Sequence, residues 1–177
     1  FIMDIIRDTN PIKRTNENID RYTDEDFLND VFLDEQELKT LKSILKYKKN
    51  IILQGAPGVG KTYSAKRLAY TIMGEKDDSR ISIVQFHQNY SYEDFVMGYK
   101  PQEEKFELKK GIFYKSCITA RNDPEHDYFF IIDEINRGNM SKIFGELLML
   151  IEKDYRNVKI ALAHNGELFS VPNNLHI

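Results

Sequence analysis

A glycine-rich segment, GAPGVGKT at residues 55–62, constrains this chain more than any other feature. It follows a short apolar run at 50–54 and leads into residues 61–73, whose apolar positions recur with the period of a helix. A turn rich in glycine can aim several backbone N–H groups at one point, because no Cβ atoms block the approach. A strand, this turn and a helix together predict a βαβ unit with a buried parallel sheet.

The segment matches G-x-x-x-x-G-K-[ST], the pattern of a P-loop, in which N–H groups at a helix start surround phosphate oxygens. Lys61 is predicted to reach the β- and γ-phosphates and to assist catalysis, and the Thr62 hydroxyl to bind Mg²⁺. Tyr63 either approaches the base or sugar or packs in the core. The predicted nucleotide-binding residues are Gly55, Ala56, Pro57, Gly58, Val59, Gly60, Lys61, Thr62 and Tyr63.

Two acids, Asp133 and Glu134, follow the apolar run at 128–132, which has the composition of a buried strand. A P-loop site needs a carboxylate at a neighbouring strand end to hold Mg²⁺, and Asp133 fits that role. Glu134 is placed to act as the general base that polarises the attacking water. Without the P-loop, the same two acids would be interpreted as surface residues at a strand end.

Composition limits the alternatives. The chain has 177 residues, a net charge of −3 and one cysteine, so an internal disulfide framework and a broadly basic nucleic-acid surface are excluded. No apolar run approaches the roughly 18 residues that cross a bilayer; we therefore expect no membrane contact and a cytoplasmic location. No N-K-x-D stretch of the small-GTPase type occurs, so the choice between GTP and ATP stays open.

The pattern divides the chain into an N-terminal lead-in or linker at 1–32 and a P-loop domain at 33–177. Asp34 and Glu37 form a predicted capping box before a helix. A strand at 81–87, a short helix at 90–98, a hairpin at 99–108 and a helix at 112–121 follow. A long helix is predicted at 141–155, a hairpin at 159–171 with Asn165-Gly166 as a type I′ turn, and a final strand at 174–177.

Two further stretches, VQFHQNYSYEDFVMGYKP at 84–101 and FFIIDEINRGNMSKIFGELLMLIEKDYR at 129–156, carry a family resemblance. Together with the P-loop they resemble the AAA+ motors of the McrB type, the nucleotide-hydrolysing subunits of modified-cytosine restriction systems. The resemblance covers residues 33–177. It implies a three-layer α/β P-loop NTPase fold with a parallel central sheet, truncated here before the sensor strand and the helical lid.

The resemblance also implies partners. Such motors form rings, usually hexamers, and Asn136 and Arg137 match a segment that faces the neighbouring subunit. The McrB type hydrolyses GTP with Mg²⁺, is stimulated by an McrC nuclease subunit, and contacts DNA mainly through an N-terminal domain that 1–32 does not contain. Two alternatives remain: an AAA+ ATPase of the MoxR or dynein-related kind that remodels a protein, and a fragment that binds without hydrolysis. Phe1 in place of Met suggests a piece of a longer chain.

Overall fold

A computed structural model of the protein describes residues 20–102 and 105–177. The α-helices are α1 Asp24–Asp30, α2 Glu35–Lys48, α3 Lys61–Met73, α4 Tyr92–Phe95, α5 Ile112–Asn122 and α6 Met140–Phe144. The strands are β1 Ile81–Gln85, β2 Met97–Gln102, β3 Lys105–Lys110, β4 Tyr128–Asp133, β5 Ile160–Ala161, β6 Leu168–Phe169 and β7 Leu175–His176. Short 3₁₀ segments cover Asp78–Arg80, Ile135–Arg137, Gly145–Ile151 and Lys153–Tyr155. In the described part, no helix is both long enough and apolar enough to cross a membrane.

The central sheet is parallel and has the strand order β1-β4-β7. Successive residues of β4 point to opposite faces, so Phe129 packs in one core and Phe130 in the other. The first core joins the sheet to α1, α2 and α3, and the second joins it to α4, α5 and α6. Helices therefore cover both faces, and the predicted three-layer α/β fold is confirmed.

The apolar run at 50–54 contains no regular strand, which corrects one prediction. Two hydrogen bonds still tie its start to the last residue of the chain: Ile51 N–H donates to Ile177 O at 3.0 Å, and Ile177 N–H donates to Lys49 O at 2.9 Å. This one ladder step is parallel. It places the run beside β7, so that its end and the end of β4 lie at the same edge of the sheet.

Residues 20–32, which we interpreted as part of a linker, are packed onto the domain. Thr23 and Asp26 form a capping box at the start of α1. The Phe27 side chain of this helix is fully buried in the core that α1 shares with α2 and α3. Asp30 accepts a hydrogen bond from Arg67 of α3 at 3.0 Å. The burial of an aromatic ring and an inter-helix ion pair make this segment part of the core. Residues 1–19, the rest of the predicted linker, lie outside the described residues.

The long helix predicted at 141–155 is broken, which is a second correction. Gly145 has φ +53° and ψ −132°, so α6 ends at Phe144 and a 3₁₀ segment follows. A Cβ at Gly145 would lie 3.1 Å from the Tyr92 ring, and the Tyr92 hydroxyl donates to Glu146 at 2.8 Å. This contact with α4 favours the break, while Leu147 beyond it stays fully buried.

Two hairpins stand outside the central sheet. The predicted hairpin at 99–108 is formed by β2 and β3, although its tip at 103–104 lies outside the described residues. The second pairs β5 with β6, but its turn is not type I′, because only Gly166 of the predicted pair has a positive φ, +69°. Asn165 instead accepts a hydrogen bond from Glu167 N–H through its side chain at 3.0 Å, in a longer loop.

We predict that Phe27→Ala lowers the free energy of unfolding by about 3–5 kcal/mol, because it empties a fully buried aromatic site. Phe32→Ala is the matched control: that ring is fully exposed, so its loss should change stability by less than about 0.5 kcal/mol. Urea unfolding followed by circular dichroism measures both. Equal stability of the two variants would contradict the assignment of α1 to the core.

Candidate nucleotide-binding site

The backbone of the P-loop depends on two glycines in the left-handed region. Gly58 and Gly60 each have φ +80°, a conformation that residues with a Cβ rarely adopt. Gly60 is the N-cap of α3, and its carbonyl accepts the Ser64 N–H at 2.8 Å. The preceding N–H groups, of residues 61–63, belong to a first helical turn and have no acceptor within the helix. They converge at the positive end of a 13-residue helix, which is a favourable position for an anion.

Lys61 closes this loop. Its Nζ donates to the carbonyl oxygens of Gly55 at 3.0 Å and Ala56 at 2.8 Å. The ammonium therefore lies inside the curve of the loop, against backbone oxygens that phosphate oxygens can replace as acceptors.

The acidic pair lies where β4 ends. Asp133 is the last residue of the strand, and its Oδ1 accepts the Glu134 N–H at 2.9 Å. Glu134 then turns the chain, with φ +52° and ψ +41°, a left-handed conformation uncommon for residues other than glycine. Strain of this kind is concentrated at functional sites, where the surrounding structure holds it in place.

A cavity of about 620 Å³ brings the loop and the acids together. Gly55, Pro57, Lys61 and Thr62 line it on the side of α3, and Asp133, Glu134 and Asn136 line it on the side of β4. Apolar residues of α3 and the sheet continue its wall. Thr62 and Asp133 offer a hydroxyl and a carboxylate, the oxygen donors that Mg²⁺ prefers, so the residues present fit the predicted metal.

Five of the predicted nucleotide-binding residues do not line this cavity: Ala56, Gly58, Val59, Gly60 and Tyr63. Val59 is 60% exposed. Tyr63 is 45% exposed, and the Arg67 guanidinium lies over its ring at 4.1 Å. The alternative that Tyr63 packs in the core is therefore wrong. The contact between Tyr63 and Arg67 could have been predicted from the sequence, because residues four apart on a helix are neighbours.

The two residues predicted to face a neighbouring subunit, Asn136 and Arg137, are exposed. Arg137 Nε donates to Glu134 Oε2 at 2.9 Å, so this cation lies beside the acidic pair within the same chain. Such an exposed ion pair contributes no more than about 1 kcal/mol and exchanges easily. Arg137 is thus available to a second partner.

The sequence did not predict the role of Arg156, which is 7% exposed. Its side chain binds the backbone of Lys49, just before the segment that leads into the P-loop. Its guanidinium donates only to carbonyl oxygens within the described residues, those of Ile151, Pro172, Leu175 and Lys49, at 2.9–3.3 Å. Burial lowers the pKa of Arg156 to about 10, which still leaves it protonated at neutral pH. No sequence pattern marks such a residue, because its acceptors are backbone groups distant in the chain.

Comparison with known proteins decides the family. The profile described as "AAA domain (dynein-related subfamily)" matches residues 50–175, which include the P-loop, the acidic pair and the sheet. The chain belongs to this AAA family. It resembles an McrB-type AAA+ domain in particular: it is 53% identical over 161 residues, 88% of the chain, to the "Type IV methyl-directed restriction enzyme EcoKMcrB subunit" of Escherichia coli strain K12.

A second relative is more distant. The "Type II restriction enzyme BsuMI component YdiS" of Bacillus subtilis strain 168 is 28% identical over 169 residues, 73% of the chain. The chain spans 35% of the length of the first relative and 49% of the second. Each similarity therefore covers less than half of the relative's length.

Proposed function

We propose that this AAA+ domain binds GTP or ATP together with Mg²⁺ and hydrolyses it, as the motor subunit of a modification-dependent DNA restriction system. The observation that carries the proposal is the common cavity, which Lys61 and Thr62 of the P-loop share with Asp133 and Glu134. The restriction role rests on the similarity to a restriction enzyme subunit over most of this chain.

The P-loop side of the cavity supplies the binding. N–H groups at the start of α3 donate to phosphate oxygens, and Lys61 exchanges its two carbonyl acceptors for the β- and γ-phosphates. Thr62 and Asp133 would hold Mg²⁺, which neutralises phosphate charge when bound. Phosphoryl transfer needs positioning and charge neutralisation more than covalent chemistry, so this small set of side chains is sufficient.

Glu134 acts as the general base in this proposal. The left-handed turn directs its side chain beside Asp133 at the wall of the cavity, where a carboxylate can accept a proton from the attacking water. Arg137 holds one carboxylate oxygen and leaves the other for that proton. We propose the catalytic roles for Glu134 and Lys61 only; Asp133 and Thr62 serve the metal.

The proposed quaternary structure rests on the resemblance to McrB-type AAA+ motors. We propose a hexameric ring in the complete protein, in which exposed Asn136 and Arg137 face the next subunit. An McrC-like nuclease subunit and DNA, contacted through a separate domain, are the further partners, and the cytoplasm is the proposed location. The binding-only alternative is a fragment that serves as a binding or assembly module and does not hydrolyse nucleotide.

Lys61→Ala should weaken nucleotide binding by about 10- to 150-fold or abolish it, because a charge-assisted contact to phosphate is lost. Lys39→Ala, on the exposed side of α2, is the charge-matched control and should bind like wild type. Isothermal titration calorimetry with Mg²⁺-nucleotide compares them. Unchanged binding in Lys61→Ala would refute the assignment of the phosphate site.

Glu134→Gln should retain nucleotide binding and lose about 10²- to 10⁴-fold in turnover, because an amide cannot accept the proton. Phosphate release by the complete protein is the measurement, with Glu152→Gln, an exposed acid outside the cavity, as the control. Persistent hydrolysis in Glu134→Gln would show that another residue acts as the general base.

Competition between GTP and ATP separates the two AAA+ alternatives. If the protein works as its restriction relative suggests, we expect GTP to displace a labelled nucleotide at lower concentration than ATP does. The second alternative is an ATPase that remodels a protein, and the match to a dynein-related subfamily is the reason to test it. A preference for ATP in the complete protein would favour that alternative.

A further inference from the structure

We propose that a group of lysines outside the nucleotide cavity is a contact site for the phosphate backbone of DNA. The group, which we call the basic patch, consists of Lys46, Lys48, Lys49 and Lys153. The inference rests on the proposed function, which makes DNA a partner and gives its contact to a separate domain. The basic patch adds a second contact on the AAA+ domain itself.

Two segments of the chain bring these lysines together. Lys46 and Lys48 lie in the last turn of α2, and Lys49 is its C-cap. Cations suit the end of a helix dipole, so α2 alone would not indicate a ligand. However, Lys153 of a later 3₁₀ segment places its Nζ 3.5 Å from the centre of the Tyr47 ring, and Lys48 Nζ lies 5.4 Å from the same ring. The fold therefore brings two like charges to one exposed ring, which the dipole of α2 does not explain.

The basic patch lacks matching acids. Within residues 20–102 and 105–177, none of its four lysines forms an ion pair, whereas Lys42 of the same helix pairs with Asp24 at 2.5 Å. Arg156 lies beside Lys49 and adds a buried charge, because its guanidinium contacts only carbonyl oxygens in this part of the chain. The patch is therefore a local positive region on a chain whose net charge is −3.

Lys49 is the point where these charges act together. Burial lowers the pKa of Lys49, repulsion from Arg156, Lys153 and Lys46 acts in the same direction, and attraction to Asp127 opposes them. Its backbone has φ +67°, a left-handed conformation at a position where glycine is usual. Strain of this kind is concentrated at functional sites. A polyanion on the patch would relieve the repulsion among the lysines.

The composition of the basic patch favours nucleic acid over a protein partner. Lysine is depleted in protein–protein interfaces, whereas protein–DNA interfaces are polar and strongly positive. The lysine ammonium group is a point charge on a flexible stem, so it can follow a phosphate backbone without a fixed geometry. Phosphate contacts carry no sequence information. We therefore expect the patch to contact modified and unmodified DNA equally.

The test measures binding of the complete protein to two fluorescent duplexes of one sequence, with and without modified cytosine, by anisotropy at several salt concentrations. Lys46→Gln and Lys153→Gln should each weaken binding by at least about 3-fold at about 0.1 M salt, equally for both duplexes. Each should also flatten the slope of log affinity against log salt by at least about 1. Mg²⁺-nucleotide affinity, measured by calorimetry, should stay as in wild type, because neither lysine lines the nucleotide cavity.

Lys115→Gln is the matched control, because Lys115 is an exposed lysine of α5, which packs on the other face of the sheet. It should bind both duplexes like wild type, and so should Lys153→Arg, which keeps the charge. Losses in Lys46→Gln and Lys153→Gln no larger than in Lys115→Gln, or an unchanged salt slope, would overturn the patch.

Unchanged DNA binding together with lost binding of the McrC-like subunit would also overturn it, and would assign these lysines to a protein partner. If wild type binds neither duplex, the DNA role in the proposed function fails together with the patch. If wild type binds DNA and the variants match the control, the patch alone fails, so the two failures are distinguishable.

Discussion

Strand β4 is the constraint on which the rest of the structure depends. It pairs with β1 on one edge and β7 on the other, and Phe129 and Phe130 point into different cores. A strand in this position cannot shift by one residue, because a shift would exchange the faces of every side chain. Its last residue, Asp133, is therefore held at one place, at the edge where the neighbouring chain enters the P-loop. The juxtaposition of acid and phosphate loop follows from sheet register.

The other half of the site depends on α3. Two helices that precede it in the chain contact this helix: Asp30 of α1 pairs with Arg67, Thr71 donates to Asp24 at 2.5 Å, and Phe27 and Leu38 share its core. Arg156 binds the chain on the other side of the loop through Lys49. The P-loop is thus an exposed turn between two fixed ends, which lets backbone N–H groups face a ligand without an apolar cover.

Much of this was predictable where local chemistry decides the structure. The limits of α3, its closure at Gly74 and the capping box of Asp34 depend on glycine conformation and short-range hydrogen bonds, and all are confirmed. The failures depend on distant contacts. The predicted long helix ends early because Gly145 packs against the Tyr92 ring. The predicted type I′ turn does not form because the Asn165 side chain accepts a hydrogen bond in a longer loop. The predicted linker contains α1 because Phe27 packs into a core with α2 and α3.

The central claim is that a nucleoside triphosphate binds between the P-loop and the end of β4. Amide hydrogen exchange of the protein with and without Mg²⁺-nucleotide tests this claim most directly, because it reports both binding and its location. We predict added protection at 55–63 and 133–135, with little change in the hairpin of β2 and β3. Absence of any protection, or protection confined to segments outside the P-loop, would contradict it.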